Sequence, residues 1–256
     1  MSSPPDLSQL ARTARLIANE WQVDLGEPFH LSRYSFVAPA GEDAVLKVTS
    51  PDDDESDEEA DALRLWDGDG APRLLRREPE HRAMLIERAR PGTDISRLAE
   101  ETATAIAVDL GRQLWRPAGE PFRWIGDHVP RWLSHAERSA AAPPHLLRLA
   151  SELYASLDPG RSRLVHGDFH HHNILASDAR YVAIDPKPML GEPEFDVPSF
   201  LWNPIGYRMT LEETERRLAA FTDVGLDERR MRAWTVIRGT YLRVDEQDSE
   251  VIRALL

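Results

Sequence analysis

Apolar residues recur at spacings of three and four at Leu7, Leu10, Ala14, Ile17 and Trp21, which predicts an opening helix with one buried face. The period then shortens. Phe29 to Ala38 and Ala44 to Thr49 read as strands, and the run Pro39-Ala40-Gly41-Glu42-Asp43 between them reads as a turn, so the stretch predicts a β-hairpin. A second helix is expected through Ala62, Leu63 and Trp66, ending at Gly68. Met84-Leu85-Ile86 reads as a further strand, and its exit, Glu87-Arg88-Ala89-Arg90-Pro91-Gly92, as a hinge.

Beyond Gly92 the helical period dominates. Ala103, Ile106, Leu110 and Leu114 mark one long helix, and Leu146, Leu149, Leu153 and Leu157 another. One β-rich island, Leu164 to Asp185, interrupts them and holds the densest cluster of polar residues in the chain. Asn173 enters one of its strands and Asp185 leaves the next, with a turn at Ser177 to Arg180 about midway. There is no internal repeat, no heptad pattern and no low-complexity tail.

With 256 residues the chain can bury a full core without disulfides, as one bilobed domain or two small ones. Cysteine is absent, which excludes thiolate chemistry and cysteine-ligated zinc and fits a reducing compartment. Met1 to Asp6 is small and polar, and no stretch has the apolar length of a membrane span, so a soluble, cytoplasmic protein with no membrane partner is expected. Lys plus Arg number 31 against 44 Asp plus Glu, a formal charge of −13. Such a field repels phosphate backbones, so nucleic acid is not an expected partner, though solubility alone accounts for an acidic balance. The run Asp52-Asp53-Asp54-Glu55-Ser56-Asp57-Glu58-Glu59 supplies much of it.

The candidate chemistry lies in the island: Arg163-Leu164-Val165-His166-Gly167-Asp168-Phe169-His170-His171-His172-Asn173-Ile174-Leu175, a turn, then Tyr181-Val182-Ala183-Ile184-Asp185. Strand pairing is expected to bring Asn173 and Asp185 together, and two oxygen ligands suit Mg²⁺. Asp168 would then be near the metal and free to orient a hydroxyl and accept its proton, the layout phosphoryl transfer requires. Lys47 lies in Val45-Leu46-Lys47-Val48, where the period of two sends it to the face opposite Leu46 and Val48. Inward-facing, it needs an anionic partner such as a phosphate or a helix carboxylate. The plainer readings are a hairpin with polar ends, an edge lysine facing solvent, and an acidic helix start in which Glu59 is one of several equivalent carboxylates. Three successive histidines, His170 to His172, suggest a zinc or iron hydrolase, but adjacent loop residues point in different directions.

HGDFHHHNIL, followed by AIDPKP and GEPEFDV, resembles the Brenner-type motif of aminoglycoside phosphotransferases. The IDP variant is most similar to the branch containing streptomycin and hydroxyurea phosphotransferases, and the likeness runs from about Gly26 to Trp202. The resemblance implies an α+β, bilobed protein-kinase-like fold. Residues 1–89 would form an N-terminal nucleotide-binding lobe, an antiparallel sheet plus one helix, and residues 90–256 a mainly helical C-terminal lobe with the catalytic loop and substrate site. It implies Asp168 as catalytic aspartate, Asn173 and Asp185 as Mg²⁺ ligands, Lys47 on the α and β phosphates of ATP and Glu59, in EEADALRLW, as its pairing glutamate. Ala89, after Met84-Leu85-Ile86-Glu87, would lie in the interlobe hinge whose backbone reads adenine, with Glu87 and Ala89 as cofactor-binding candidates. Asp196 would brace the catalytic loop.

Protein kinases carry HRD and DFG where this chain has His166-Gly167-Asp168 and Ile184-Asp185-Pro186, and no APE motif is present, which argues against a protein substrate or partner. The loop expected to cover the phosphates, His30 to Phe36, contains no glycine; backbone amides from Ser32 to Ser35 are its candidate phosphate contacts. The expected activity is transfer of the γ-phosphoryl of ATP to a small-molecule hydroxyl, with a cationic antibiotic of the streptomycin class as acceptor. The alternatives are a kinase of hydroxyurea or another small metabolite, and a catalytically silent nucleotide-binding protein, which the missing glycines suggest.

Overall fold

Helix α1 (Leu7–Trp21) lays Leu10, Ala14, Ile17, Ala18 and Trp21 on one apolar core, with Leu7 left 48% exposed. In the computed structural model, which describes residues 7–29, 34–53, 56–140, 142–242, 250–252 and 254–255, the chain divides into two units. The first comprises Met1–Thr93 and Leu175–Lys187, the second Asp94–Ile174 and Pro188–Leu256. The expected division instead kept residues 90–256 together; here the strands after the polar loop join the N-terminal elements.

The first unit is built on an antiparallel sheet of β1 (Ser35–Ala40), β2 (Ala44–Thr49), β3 (Leu74–Glu78) and β4 (Ala83–Glu87), in the order β1-β2-β4-β3. All six residues of β2 are buried, as suits an inner strand rich in Val and Leu. β1 starts later and ends later than the sequence pattern suggests. Residues 24–29 instead run irregularly along its outer edge, where Gly26 N donates to Pro39 O and Phe29 N to Val37 O, both at 2.8 Å. Pro39 is tolerated because it sits on this edge strand, its nitrogen turned from the ladder. Gly41, at φ +68°, makes the turn. Helix α2 (Glu59–Trp66) buries Ala62, Leu63 and Trp66 and ends at Asp67 in the left-handed region. The expected hinge continues into a strand, β5 (Pro91–Asp94), which joins β7 (Ile174–Ser177) and β8 (Arg180–Ala183) in a three-stranded sheet.

The second unit is mainly helical, with α3 (Glu100–Leu114), α4 (Ile125–Arg138), α5 (Pro144–Leu157), α6 (Val197–Leu201), α7 (Leu211–Thr222) and α8 (Glu228–Leu242). α3 and α5 are the two helices the leucine spacing predicts. α8 packs against α4, α5, α6 and α7 and is buried on nearly every side, with Met231, Trp234, Val236 and Ile237 at 1% exposure or less. A short antiparallel pair, β6 (Arg163–Val165) and β9 (Met189–Gly191), flanks the polar loop. Phe169, Phe195, Phe200 and Phe221 fill the space around it, each at 1% exposure or less and each contributing about 1.5–3 kcal/mol by burial. Among the described residues no helix is long and apolar enough to cross a membrane.

Candidate active site

Leu46 and Val48 of β2 belong to the core under α1, whereas Lys47, one position between, turns to the other face and meets α2. Its Nζ donates to Glu59 Oε1 and Oε2 at 2.8 and 2.7 Å and to Asp185 Oδ1 at 2.5 Å, so all three ammonium donors are used. Lys47 is 4% and Glu59 2% exposed. Burial alone would lower the Lys47 pKa, but the Asp185 and Glu59 carboxylates outweigh it and hold the ammonium above its ordinary value. Burial raises Glu59, with Lys47 pulling the other way. Asp185 adopts φ +55°, a conformation costly for a residue with a Cβ, and such strain gathers at functional positions.

Within the second unit the loop between β6 and β7 is held by Asp196, which is fully buried. Its Oδ2 accepts from His166 N at 2.8 Å and Trp115 Nε1 at 2.9 Å, and its Oδ1 accepts from Gly167 N at 2.7 Å. Asp196 therefore braces the loop, as the motif resemblance implies. Arg238 of α8 adds a second hold, donating to Gly167 O at 2.9 Å and Phe195 O at 2.6 Å. Gly167 at φ +83° gives the loop its sharp direction. Asp168 follows, its side chain 39% exposed. Asn173 Nδ2 donates to Asp168 O at 2.9 Å and Oδ2 at 3.1 Å, and His170 Nε2 lies 3.5 Å from Oδ1. Burial pushes the Asp168 carboxyl up, but the hydrogen bond and charge of His170, with His166 and Arg238, leave it below the usual carboxylate range. His172 is held between Asp94 Oδ2, 2.8 Å from Nδ1, and Ile205 N, which donates to Nε2 at 3.1 Å. The three histidines thus point to different partners, with His171 stacked on Phe200 at 4.1 Å.

Of the residues singled out from sequence, Lys47, Glu59 and Asp185 meet in the first unit, and Asp168 and Asn173 meet in the second. Glu87, at the end of β4, accepts from Arg180 at 2.9 Å and from Arg73 N at 3.3 Å; Ala89 follows with its carbonyl 3.0 Å from where a Cβ on Gly92 would lie. Ser35 is 5% exposed, and its hydroxyl donates to Thr49 Oγ1 at 3.2 Å within the hairpin. Ser32 lies outside the described residues. Sequence reasoning passed over Arg238, Trp115, Asp53 and Lys187. Only Lys187 carried a signal: it is one of just two lysines in the chain, the other being Lys47.

Asn173 and Asp185 both offer oxygen, the donor chemistry of Mg²⁺. The Asn173 amide nitrogen is committed to Asp168, which orients the amide and leaves its oxygen as the donor to a cation. A mainly antiparallel unit carrying a lysine–glutamate pair, and a helical unit carrying a braced His-Gly-Asp loop, define a protein-kinase-like fold. It is shared with a choline/ethanolamine kinase family protein from Mesorhizobium loti at a TM-score of 0.66 and 17% identity, over 90% of this chain and 88% of that one. The sequence profile of the family described as aminoglycoside/hydroxyurea antibiotic resistance kinase matches residues 25–247, and the chain belongs to that family. It is 36% identical over 211 residues to a hydroxyurea phosphotransferase of Kitasatospora aureofaciens, covering 77% of this chain and 60% of that protein. It is 30% identical over 238 residues to a streptomycin 6-kinase of Streptomyces glaucescens, covering 86% of this chain and 77% of that protein. The match thus spans about three-fifths of the length of the first relative and over three-quarters of the second.

Proposed function

We propose that this protein is a cytoplasmic ATP-dependent phosphotransferase that moves the γ-phosphoryl group of MgATP to a hydroxyl of a small molecule, a cationic aminoglycoside such as streptomycin. Two observations carry the reading, one in each unit: the buried Lys47, kept charged between Glu59 and Asp185, and a separately braced loop that presents an ionised Asp168. Lys47 would hold the α and β phosphates, and Glu59 fixes where its ammonium points. Asn173 and Asp185 would hold Mg²⁺, which when bound neutralises phosphate charge. Asp168 orients the acceptor hydroxyl and takes its proton as the hydroxyl oxygen bonds to phosphorus and the bond from phosphorus to the leaving ADP oxygen breaks. The hinge around Glu87 and Ala89 would receive adenine through its backbone, and the amides near Ser32 and Ser35 would approach the phosphates.

Family membership supports the reaction class, and the name of the streptomycin 6-kinase relative supports the acceptor. The test is incubation of purified protein with MgATP and streptomycin: a singly phosphorylated drug and stoichiometric ADP are expected. Hydroxyurea is the second reading, favoured by the 36% identity to a hydroxyurea phosphotransferase. Phosphorylation of hydroxyurea, with streptomycin untouched, decides for it.

A further inference from the structure

The chain carries 31 basic residues, only two of them lysine. Both lysines lie in the first unit, where one charged network runs from β2 through α2 to the segment that follows β8. Lys47 meets Glu59 and Asp185; Lys187, two residues beyond Asp185, donates to Asp53 Oδ2 at 2.9 Å and to Ser56 Oγ at 2.7 Å. Ser56 Oγ in turn donates to Asp53 Oδ2 at 2.9 Å, and both residues are under 9% exposed. Asp53 and Ser56 stand just before α2, six and three residues short of Glu59. A compact ammonium suits this corner better than the planar fork of arginine, because its donors can turn to two acceptors on one side.

Resting on the phosphotransferase reading, we infer that Lys187 is a positioning residue for the nucleotide site: it ties the start of α2 to the segment carrying Asp185, so that Glu59 and Asp185 hold Lys47 from both sides. Without Lys187 the buried Asp53 carboxylate has lost its cation, and the turn into α2 has lost its tether to residue 187. Glu59 then no longer has a fixed approach to Lys47, and the lysine is free to follow Asp185 alone. The charge of Lys187 also reaches Glu59 itself, favouring the ionised form. Arg82, from the turn before β4, holds Asp57 and the Asp53 carbonyl, so the segment stays in place from one side even when Lys187 is removed, and the variants are expected to fold.

The experiment is calorimetric titration of MgATP into wild type, Lys187→Met, Asp53→Asn and the double variant, with a thermal melt of each. Each single variant is expected to bind MgATP about tenfold more weakly, and the double variant about as weakly as either single one, because the two substitutions break one link. A residue that merely stabilises the unit would lower the melting temperature and leave nucleotide affinity of the folded protein unchanged, so unchanged affinity in both single variants overturns the inference. Fully additive losses in the double variant overturn it as well. If Lys187→Met does not fold, Asp53→Asn decides alone by the same criterion. A wild type that binds no MgATP defeats the phosphotransferase reading itself, whereas a binding wild type with unaffected variants defeats only the role of Lys187.

Discussion

In the proposed mechanism Asp168 takes the acceptor's proton, which requires it to stay ionised while partly enclosed, and donors from its own loop favour that form. Asp168→Asn keeps the shape and the Asn173 contact but cannot take a proton. MgATP affinity is expected to stay within about threefold of wild type while turnover falls by at least about a hundredfold, measured by coupled ADP release. His171 makes a different prediction. Burial, reinforced by Arg217, pushes its pKa down to about 3, and its Nδ1 is buried with no hydrogen-bond partner among the described residues. The folded protein keeps this imidazole neutral, whereas the unfolded chain protonates it below about pH 6.5. Below that pH the unfolded state binds more protons, so this residue withdraws stability as pH falls from about 6.5 towards 3. His171→Phe keeps the stack on Phe200 and removes the titration. Urea midpoints should show the variant gaining on wild type at about pH 5 relative to about pH 8; equal pH dependence refutes the assignment.

Helix α7 shows how one buried side chain can organise several elements. Arg217, 1% exposed, donates to both oxygens of Glu100 at the start of α3, each at 2.6 Å, and to the carbonyls of Phe200, Leu201 and Asn203. Arg217→Ala would leave a partly buried carboxylate and three carbonyls without their donor, and should cost about 3–5 kcal/mol in a denaturant titration. A loss below about 1 kcal/mol would mean that these groups find water instead. Nothing in LEETERRLAAFT marks Arg217 from its neighbour Arg216, which is exposed on the same helix. The same limit governs what else was legible. Inner strands and one-faced helices announce themselves: β2, β4, α1, α3 and α5 follow from apolar spacing alone. β3 does not, because LLRRE is an edge strand with three of its five residues exposed. α4 is obscured by Pro130 inside it and only four buried positions. Of the candidate site, Asp168, Asn173 and Asp185 could be singled out because motif residues are dense there, and the inward face of Lys47 could be read from strand period. The supports from distant elements, Arg238 and Trp115, were not, since contacts across 71 and 81 positions leave no local pattern.

At the scale of the whole molecule the formal charge of −13 bears on which acceptor is used. A cationic aminoglycoside gathered by such a field should show a Michaelis constant that rises as salt goes from about 0.05 to 0.5 M, whereas hydroxyurea, being neutral, should be nearly indifferent. A streptomycin constant that does not move with salt would mean that its cations meet no acidic surface. The first unit is assembled from two separate stretches, with β8 and Asp185 supplied from beyond the polar loop. During synthesis, therefore, Lys47 and Glu59 leave the ribosome long before their third partner exists. Asp185 and Lys187 emerge about ninety residues after Thr93, a wait of about 5–20 s at ordinary translation rates. A message truncated anywhere in that interval yields an N-terminal piece whose lysine has one carboxylate instead of two, so a broken transcript leaves the Lys47 cluster unfinished.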